Sequence, residues 1–201
     1  MNLEDLKKHL VDICHCASDR WLTAGSGGNI SVRIPNSSRY LCTATGVTFR
    51  DTAVENIVEM DLDGRQISDG PWLPSKEHRW HAGVLAIRPE VGGVVHTHST
   101  CTMAFGILNQ TPPHMTGQAR AHLKKIQIVP YADAGSDHLR DLIVEVYKEN
   151  PDTRIVLLAH HGLAATGPSL LEAYNRAEVV EDSAQAYLHC KVLGKEPNLD
   201  F

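Results

Sequence analysis

The chain has 201 residues, 42% of them hydrophobic and 21% charged, which is ordinary for a globular protein and unlike a disordered one. Its 19 basic and 24 acidic residues give a formal charge of −5 without a basic tract, so nucleic acid is not an expected partner, whereas a small anionic substrate is compatible. The apolar runs are far shorter than the roughly 20 residues that cross a bilayer.

Two further features bear on domain organisation and location. The N-terminus mixes both charge signs and lacks the apolar segment of a signal peptide. The five cysteines contain no CxxC pair, which is typical of reduced thiols. We therefore expect one cytoplasmic domain over residues 1–201, without a membrane partner.

The first half of the chain predicts one helix followed by short strands. Leu6, Leu10 and Ile13 recur at helical spacing, which predicts a helix over 3–22. Alternating apolar and polar residues then predict strands over 30–34, 40–44 and 56–60, with turns at 35–38 and at Asp63-Gly64.

The second half predicts longer helices between apolar strands. The predicted helices cover 75–87, 99–108, 136–149 and 168–192, and the predicted strands cover 92–98, 126–129 and 154–159. Because short turns join the early strands, we expect an α/β fold of three layers, in which helices flank a mixed, mostly antiparallel sheet.

Two histidines end an apolar strand in the segment Val94-Val95-His96-Thr97-His98. Residues i and i+2 of a strand project from one face, so both imidazoles can bind one metal ion. The alternative is a pair of histidines that are hydrogen-bonded at a strand end.

A third imidazole is available from His160-His161, which follows another apolar strand. Adjacent strand residues face opposite sides of a sheet, so only one of these two is expected to join the site. Three imidazoles with an open coordination position are typical of a catalytic metal centre.

The segment Pro74-Ser75-Lys76-Glu77 precedes a predicted helix. Proline followed by serine suits a helix start, where free N–H groups attract an anion. Glu77 is either a functional carboxylate or one of the acidic residues that the first turn of a helix favours.

Two glycine-containing turns are candidates for binding phosphate. In Gly25-Ser26-Gly27-Gly28-Asn29-Ile30-Ser31, glycines allow close approach of backbone N–H groups, and serine and asparagine add side-chain donors. The turn Thr43-Ala44-Thr45-Gly46 is a similar, weaker signal. Each of these segments is equally compatible with a simple turn.

Together these motifs resemble the class II aldolase and adducin family, which includes fuculose-phosphate aldolase, over nearly the whole chain. The resemblance implies that His96, His98 and His161 bind one divalent metal ion, with zinc favoured over manganese or cobalt. It implies that Glu77 is the catalytic acid-base and that His160 packs beside the site or lines it. The implied phosphate site consists of Ser26, Gly28, Asn29, Thr45, Gly46, Ser75 and Lys76.

The activity implied by the resemblance is a carbon–carbon lyase reaction. A small phosphorylated keto sugar is cleaved by retro-aldol chemistry through an enediolate that the metal ion stabilises. Glu77 moves the proton at the enediolate. The resemblance also implies a homotetramer.

Two departures from the aldolase pattern leave alternatives open. Thr116 stands where fuculose-type aldolases have a proton-donating tyrosine, and Lys76 replaces a serine of the phosphate motif. His114, His122 and Tyr131 are candidates to replace the glutamate that methylthioribulose-phosphate dehydratases have in the segment 114–125.

Three other functions remain open within the same family. One is decarboxylation of an oxo-tetronate phosphate. A second is dehydration of methylthioribulose phosphate, disfavoured because residues 114–125 contain no carboxylate. The third is a non-catalytic adducin-like binding domain, disfavoured because the three histidines and Glu77 are all present.

Overall fold

Seven strands form one mixed sheet in a computed structural model that describes residues 2–200. The order across the sheet is 3-2-1-4-7-6-5, and neighbouring strands are antiparallel except for the fifth and sixth, which are parallel. The expectation of a mostly antiparallel mixed sheet is confirmed. The strands are β1 (Asn29–Arg33), β2 (Arg39–Thr43), β3 (Ile57–Asp61), β4 (Gly93–Thr97), β5 (Ile126–Val129), β6 (Ile155–Leu158) and β7 (Gly162–Gly167).

Helices cover both faces of the sheet and complete three layers. Because adjacent strand residues face opposite sides, Val95 packs beneath one helical layer and Val94 beneath the other. The helices are α1 (Leu3–Asp19), α2 (His78–Ile87), α3 (Thr100–Ile107), α4 (Gly117–His122), α5 (Asp137–Glu149) and α6 (Leu170–Val192). Helices α1, α3, α4 and α6 contribute to the first core, and α2 and α5 to the second. Within residues 2–200 no helix combines the length and apolarity needed to cross a bilayer.

Among the strands and α-helices, the structure adds two elements that the sequence patterns did not predict. Strand β7 has the sequence GLAATG, whose small residues have little β-propensity, yet it is fully buried between β4 and β6. Helix α4 has only six residues and is capped by the Thr116 side chain, which accepts from the Ala119 N–H. Pairing with neighbouring strands defines β7, and a side-chain cap defines the short helix α4. Neither element therefore has a clear periodic pattern of apolar residues in the sequence.

The helix predicted over 75–87 begins three residues later, at His78. Pro74 forms a β-bridge with Ala44, and the Ser75 N–H donates to the Thr43 carbonyl at 3.0 Å. The backbone is therefore held against the end of β2 until Glu77, which occupies the N-cap position of α2.

A buried carboxylate caps the first turn of α3, which follows the histidine segment of β4. Glu181 of α6 is 3% exposed and accepts the N–H groups of Cys101 and Thr102 at 3.0 and 2.8 Å, and the Thr102 hydroxyl at 2.6 Å. The first N–H groups of a helix have no partner within it and favour a negative charge.

Replacing Glu181 by alanine is expected to lower the free energy of unfolding by about 3 kcal/mol, because it leaves buried donors without an acceptor. Urea denaturation measures this loss. Asp182→Ala, at the exposed neighbouring position on α6, should change the free energy by less than about 0.5 kcal/mol. A loss for Glu181→Ala as small as that of the control would show that the cap is dispensable.

Candidate active site

Four side chains from separate elements converge at one end of the sheet. Glu77 comes from the start of α2, His96 from β4, His98 from just beyond β4, and His161 from the turn between β6 and β7. One ligand atom from each lies within 4.8 Å of all the others. The three imidazole ring centroids are 4.9, 4.9 and 5.0 Å apart.

The backbone explains why these histidines point to the same place. His96 lies within β4, and His98 lies two residues further on, one residue beyond the end of the strand. The position of the His161 side chain has a different origin, because this residue lies in a tight turn and not on a strand. Its N–H donates to the Leu158 carbonyl at 3.0 Å, and His160 has the left-handed φ of 57°. This turn leaves His160 exposed.

Two glycines provide room for the imidazoles. A Cβ atom on Gly27 would lie 2.6 Å from Nδ1 of His98. A Cβ atom on Gly162 would press on the Thr97 carbonyl and lie 3.0 Å from Cδ2 of His98 and 3.2 Å from Cε1 of His96. The His96 and His98 rings can therefore take up these positions only because Gly27 and Gly162 lack side chains.

Gly162→Ala is expected to displace the His96 and His98 rings, lowering both metal content and stability by overpacking, the latter by about 1–3 kcal/mol. Metal analysis of the purified variant and its thermal midpoint measure the two effects. Gly117→Ala is the matched control, since its Cβ would meet open space. A Gly162→Ala protein with unchanged metal content and midpoint would show that this packing is not required.

Hydrogen bonds orient the carboxylate and one imidazole. Nδ1 of His96 lies 2.7 Å from the Leu163 carbonyl and donates to it, which aims Nε2 at the cluster. Asn29 Nδ2 donates to Oε2 of Glu77 at 3.0 Å, and that oxygen lies 3.1 Å from Nε2 of His96. Oε1 of Glu77 lies 3.6 Å from Nε2 of His161. The sequence predicted Asn29 only as a phosphate-binding residue. It did not predict the hydrogen bond to Glu77, because no spacing pattern in the sequence connects the two positions.

Burial and neighbouring charges shift the pKa values in the cluster. Burial works against ionisation of Glu77, but His96, His161 and the Asn29 amide outweigh it and hold its pKa well below the ordinary value. Burial and the neighbouring imidazoles lower the pKa of His98 to about 3 and that of His161 to about 4. Burial also disfavours the charged form of His96, but the Glu77 carboxylate raises its pKa above the ordinary value. Neutral His98 and His161 and an ionised Glu77 are the forms that bind metal.

The donor set fits one divalent ion. Oε1 of Glu77 and Nδ1 of His161 are buried and have no hydrogen-bond partner within residues 2–200. Nε2 of His96 and Nε2 of His98 lie 3.1 Å apart, close to the separation of roughly 3.4 Å for two ligands of one tetrahedral zinc ion. Three imidazoles and a carboxylate provide nitrogen and oxygen ligands, which suit zinc and other divalent first-row transition metals.

The glycine loop over residues 25–29 lies against the histidines. Gly28 has φ of 77°, and a Cβ there would be 2.7 Å from the His96 carbonyl, so the loop passes directly over the end of β4. Ser26 is exposed on this loop, and buried Asn29 joins it to Glu77.

The other two predicted phosphate segments adjoin each other. The β-bridge of Ala44 with Pro74 brings the turn over 43–46 beside the segment that leads to Glu77. The exposed residues there are Thr45, Gly46 and Lys76, whereas Ser75 is buried and its hydroxyl accepts the Glu77 N–H at 3.3 Å.

Thr116, at the position of the aldolase tyrosine, and the three candidate acids His114, His122 and Tyr131 occupy different places. The Thr116 hydroxyl is used as the cap of α4, and His122 lies exposed in that helix. His114 is half-buried, and burial and Arg120 lower its pKa. Tyr131 is exposed, its hydroxyl donates to Asp133 at 3.1 Å, and its ring centroid lies 6.2 Å from that of His160.

Comparisons with known proteins show the family to which the chain is related. Residues 8–188 match the family model described as the Class II Aldolase and Adducin N-terminal domain. The chain is 32% identical over 182 residues to the L-fuculose phosphate aldolase of Methanocaldococcus jannaschii, covering 90% of this chain and 95% of that protein. It is 30% identical over 186 residues to the 3-oxo-tetronate 4-phosphate decarboxylase of Haemophilus influenzae, covering 90% of this chain and 86% of that one.

A solved structure of an L-fuculose 1-phosphate aldolase has the same architecture, with a TM-score of 0.85 and 29% identity. The alignment covers 98% of this chain and 91% of that one. The family match, the curated relatives and the shared architecture all span most of the chain, and the chain belongs to the class II aldolase and adducin family.

Proposed function

We propose that this metal-dependent lyase of the class II aldolase type cleaves a small phosphorylated keto sugar by a retro-aldol reaction. The observation that carries the proposal is the convergence of Glu77 with three imidazoles, all offering ligand atoms within 4.8 Å of one another. His96, His98 and His161 are the proposed metal ligands, and Glu77 is the proposed acid-base.

The proposed metal is one zinc ion per subunit, with manganese and cobalt as alternatives. When bound, a divalent ion supplies Lewis-acid stabilisation of the negative charge that develops on the carbonyl and hydroxyl oxygens of the substrate. The nitrogen-rich ligand set favours zinc over magnesium or calcium, which prefer oxygen ligands.

The residues around the cluster bind and orient the substrate in this proposal. Backbone N–H groups of Gly28 and Gly46 and side chains of Asn29, Thr45 and Ser75 surround the phosphate, with Ser26 and Lys76 at its rim. Binding the phosphate away from the reacting carbons uses remote binding energy to orient the bond that breaks.

Glu77 holds and moves the proton. Its depressed pKa keeps it ionised at neutral pH, as a general base requires, and Oε1 is not committed to a hydrogen bond within residues 2–200. The Asn29 amide holds Oε2, so the carboxylate keeps a defined orientation while Oε1 faces the reacting atoms.

The assembly and location implied by the family are part of the proposal. We infer a single domain, a homotetramer and a cytoplasmic location. Exposed apolar side chains at the end of α3, Ile107 at 53% and Leu108 at 66%, support a covered surface in the oligomer. The five cysteines are free thiols, which supports a reducing compartment.

Decarboxylation of an oxo-tetronate phosphate is the second candidate function. Lys76 favours it, because this exposed cation stands in a position where the resemblance leads us to expect serine, one residue from Glu77. A lysine there adds a charge able to bind a substrate carboxylate. The relative from Haemophilus influenzae carries the name of such a decarboxylase.

A substrate panel distinguishes the two candidates. The purified protein, loaded separately with zinc, manganese or cobalt, is incubated with phosphorylated ketoses and with 3-oxo-tetronate phosphates. Aldol cleavage releases a ketone phosphate and an aldehyde without carbon dioxide, whereas decarboxylation releases a ketone phosphate together with carbon dioxide. Metal-loaded protein that releases neither product from any compound would contradict both functions.

A further inference from the structure

Helix α2 and strand β1 run side by side in the same direction. At one end Asn29 donates to Glu77, and at the other the Arg33 guanidinium donates to the carbonyls of Leu85 and Val91. The eight residues from Glu77 to Leu85 span about 12 Å of helix, and the four from Asn29 to Arg33 span about 13 Å of strand. The middle of the strand therefore lies opposite the middle of this helical segment.

This spacing places Ser31 of β1 opposite His81 of α2, near that midpoint. Ser31 is two residues beyond Asn29, so it projects from the same face of the sheet, towards α2. His81 is one helical turn beyond Glu77, so it lies on the same face of α2 as that carboxylate. The Trp80 ring packs against both His81, at 3.8 Å between centroids, and His96, at 5.7 Å.

The polar atoms in this layer are deeply buried. Ser31, Trp80 and His81 are 0%, 1% and 1% exposed. Oγ of Ser31, Nε1 of Trp80, both ring nitrogens of His81 and Oδ1 of Asn29 have no hydrogen-bond partner among residues 2–200. Each buried polar group without a partner costs about 1–3 kcal/mol, so a cluster of them indicates a bound polar ligand.

The chemistry of these atoms fits water. A neutral imidazole donates from one nitrogen and accepts at the other, a hydroxyl does both, an indole N–H donates and an amide oxygen accepts. A buried water makes about three hydrogen bonds to such groups. Burial and the nearby His96 hold the pKa of His81 well below its ordinary value, so its imidazole is neutral.

We propose that ordered water between β1 and α2 joins His81 and Ser31 to Oδ1 of Asn29, and that His81 is thereby a positioning residue for Glu77. A donor at Oδ1 fixes the orientation of the Asn29 amide, so that Nδ2 and not the oxygen faces Glu77. The consequence for turnover rests on the proposed function, in which Glu77 moves the proton. The water site itself does not depend on that function.

A high-resolution crystal structure of the metal-loaded protein tests the water site directly. The expected result is ordered water within hydrogen-bond distance of a His81 ring nitrogen and of Ser31 Oγ or Asn29 Oδ1. Density for a dry layer, with His81 and Ser31 bonded to other groups or to none, would overturn the proposal even if the enzyme proves to be an aldolase.

Variants of His81 and Ser31 then test the positioning role. His81→Phe and Ser31→Ala should each lower kcat about tenfold to a hundredfold with little change in KM or metal content. His81→Gln, which can still bond to water, should recover part of the loss and keeps the test usable if the phenylalanine variant does not fold. The double variant His81→Gln with Ser31→Ala should lose less than the sum of the single effects, because both act on one water.

The control separates positioning from simple loss of stability. Tyr147 is buried in the same core, and its hydroxyl donates to the Ala164 carbonyl at 3.3 Å. Tyr147→Phe should lower the thermal midpoint without lowering kcat. Single variants of His81 and Ser31 that also lose only stability, with kcat within threefold of the parent, would overturn the positioning role.

Discussion

Replacing Glu77 by glutamine is expected to lower kcat by about 10²–10⁴-fold while the protein retains its metal ion. Glutamine has nearly the same shape and its amide oxygen can still accept from Asn29, but it cannot take up a proton at neutral pH. The three imidazoles are unchanged, so the metal content should stay at one ion per subunit. Steady-state kinetics on the substrate found by the panel and metal analysis of the same preparation measure the two quantities.

The matched control for this prediction is Glu145→Gln, at an exposed position of α5. It makes the same chemical change on the surface and should leave both kcat and metal content unaltered. Full activity in Glu77→Gln would show that another group moves the proton. Loss of the metal ion along with activity would instead identify Glu77 as an essential ligand.

Replacing His98 by alanine is expected to remove both the metal ion and turnover. His98 is one of only three imidazoles in the cluster, and its Nε2 lies 3.1 Å from Nε2 of His96. Two imidazoles and a carboxylate form a weaker site, so the purified variant should contain far less than one ion per subunit. Chelation of the parent protein should abolish activity in the same way, and added zinc should restore the parent but not His98→Ala.

A neighbouring histidine provides the control for metal loss. His160 is exposed and has φ of 57°, a conformation that asparagine tolerates. His160→Asn should therefore keep its metal ion and its fold. If His160→Asn lost the ion and His98→Ala retained it, the proposed ligand set would be wrong.

The strand periodicity in the sequence led to the correct geometry for one pair of histidines. His96 and His98 are two residues apart at the end of β4, and their side chains reach one cluster, as the alternation of a strand predicts. The choice between His160 and His161 did not follow from periodicity. A tight turn with a left-handed residue places His161 in the cluster, and strand alternation does not apply to a turn.

The convergence of separate segments depended on pairing across the sheet. Strand β7 was not predicted, yet it pairs with β4 so that Ala164 lies opposite His96 and brings the Leu163 carbonyl to its Nδ1. The Asn29 bond to Glu77 likewise joins positions 48 residues apart in the chain. A single sequence contains no local signal for such contacts, since each is decided by which strands become neighbours.

The amino-acid sequence by itself determined the fold class, the family resemblance and the residue types of the site. These depend on periodicity, turn residues and motif order, all of which are local properties of the chain. Only the tertiary structure decided how the segments meet, which turn brings His161 into the cluster, and which buried polar atoms have no hydrogen-bond partner among residues 2–200. The physical reason is that burial and hydrogen-bond satisfaction are properties of the packed chain, and they arise only when distant segments exclude water from one another.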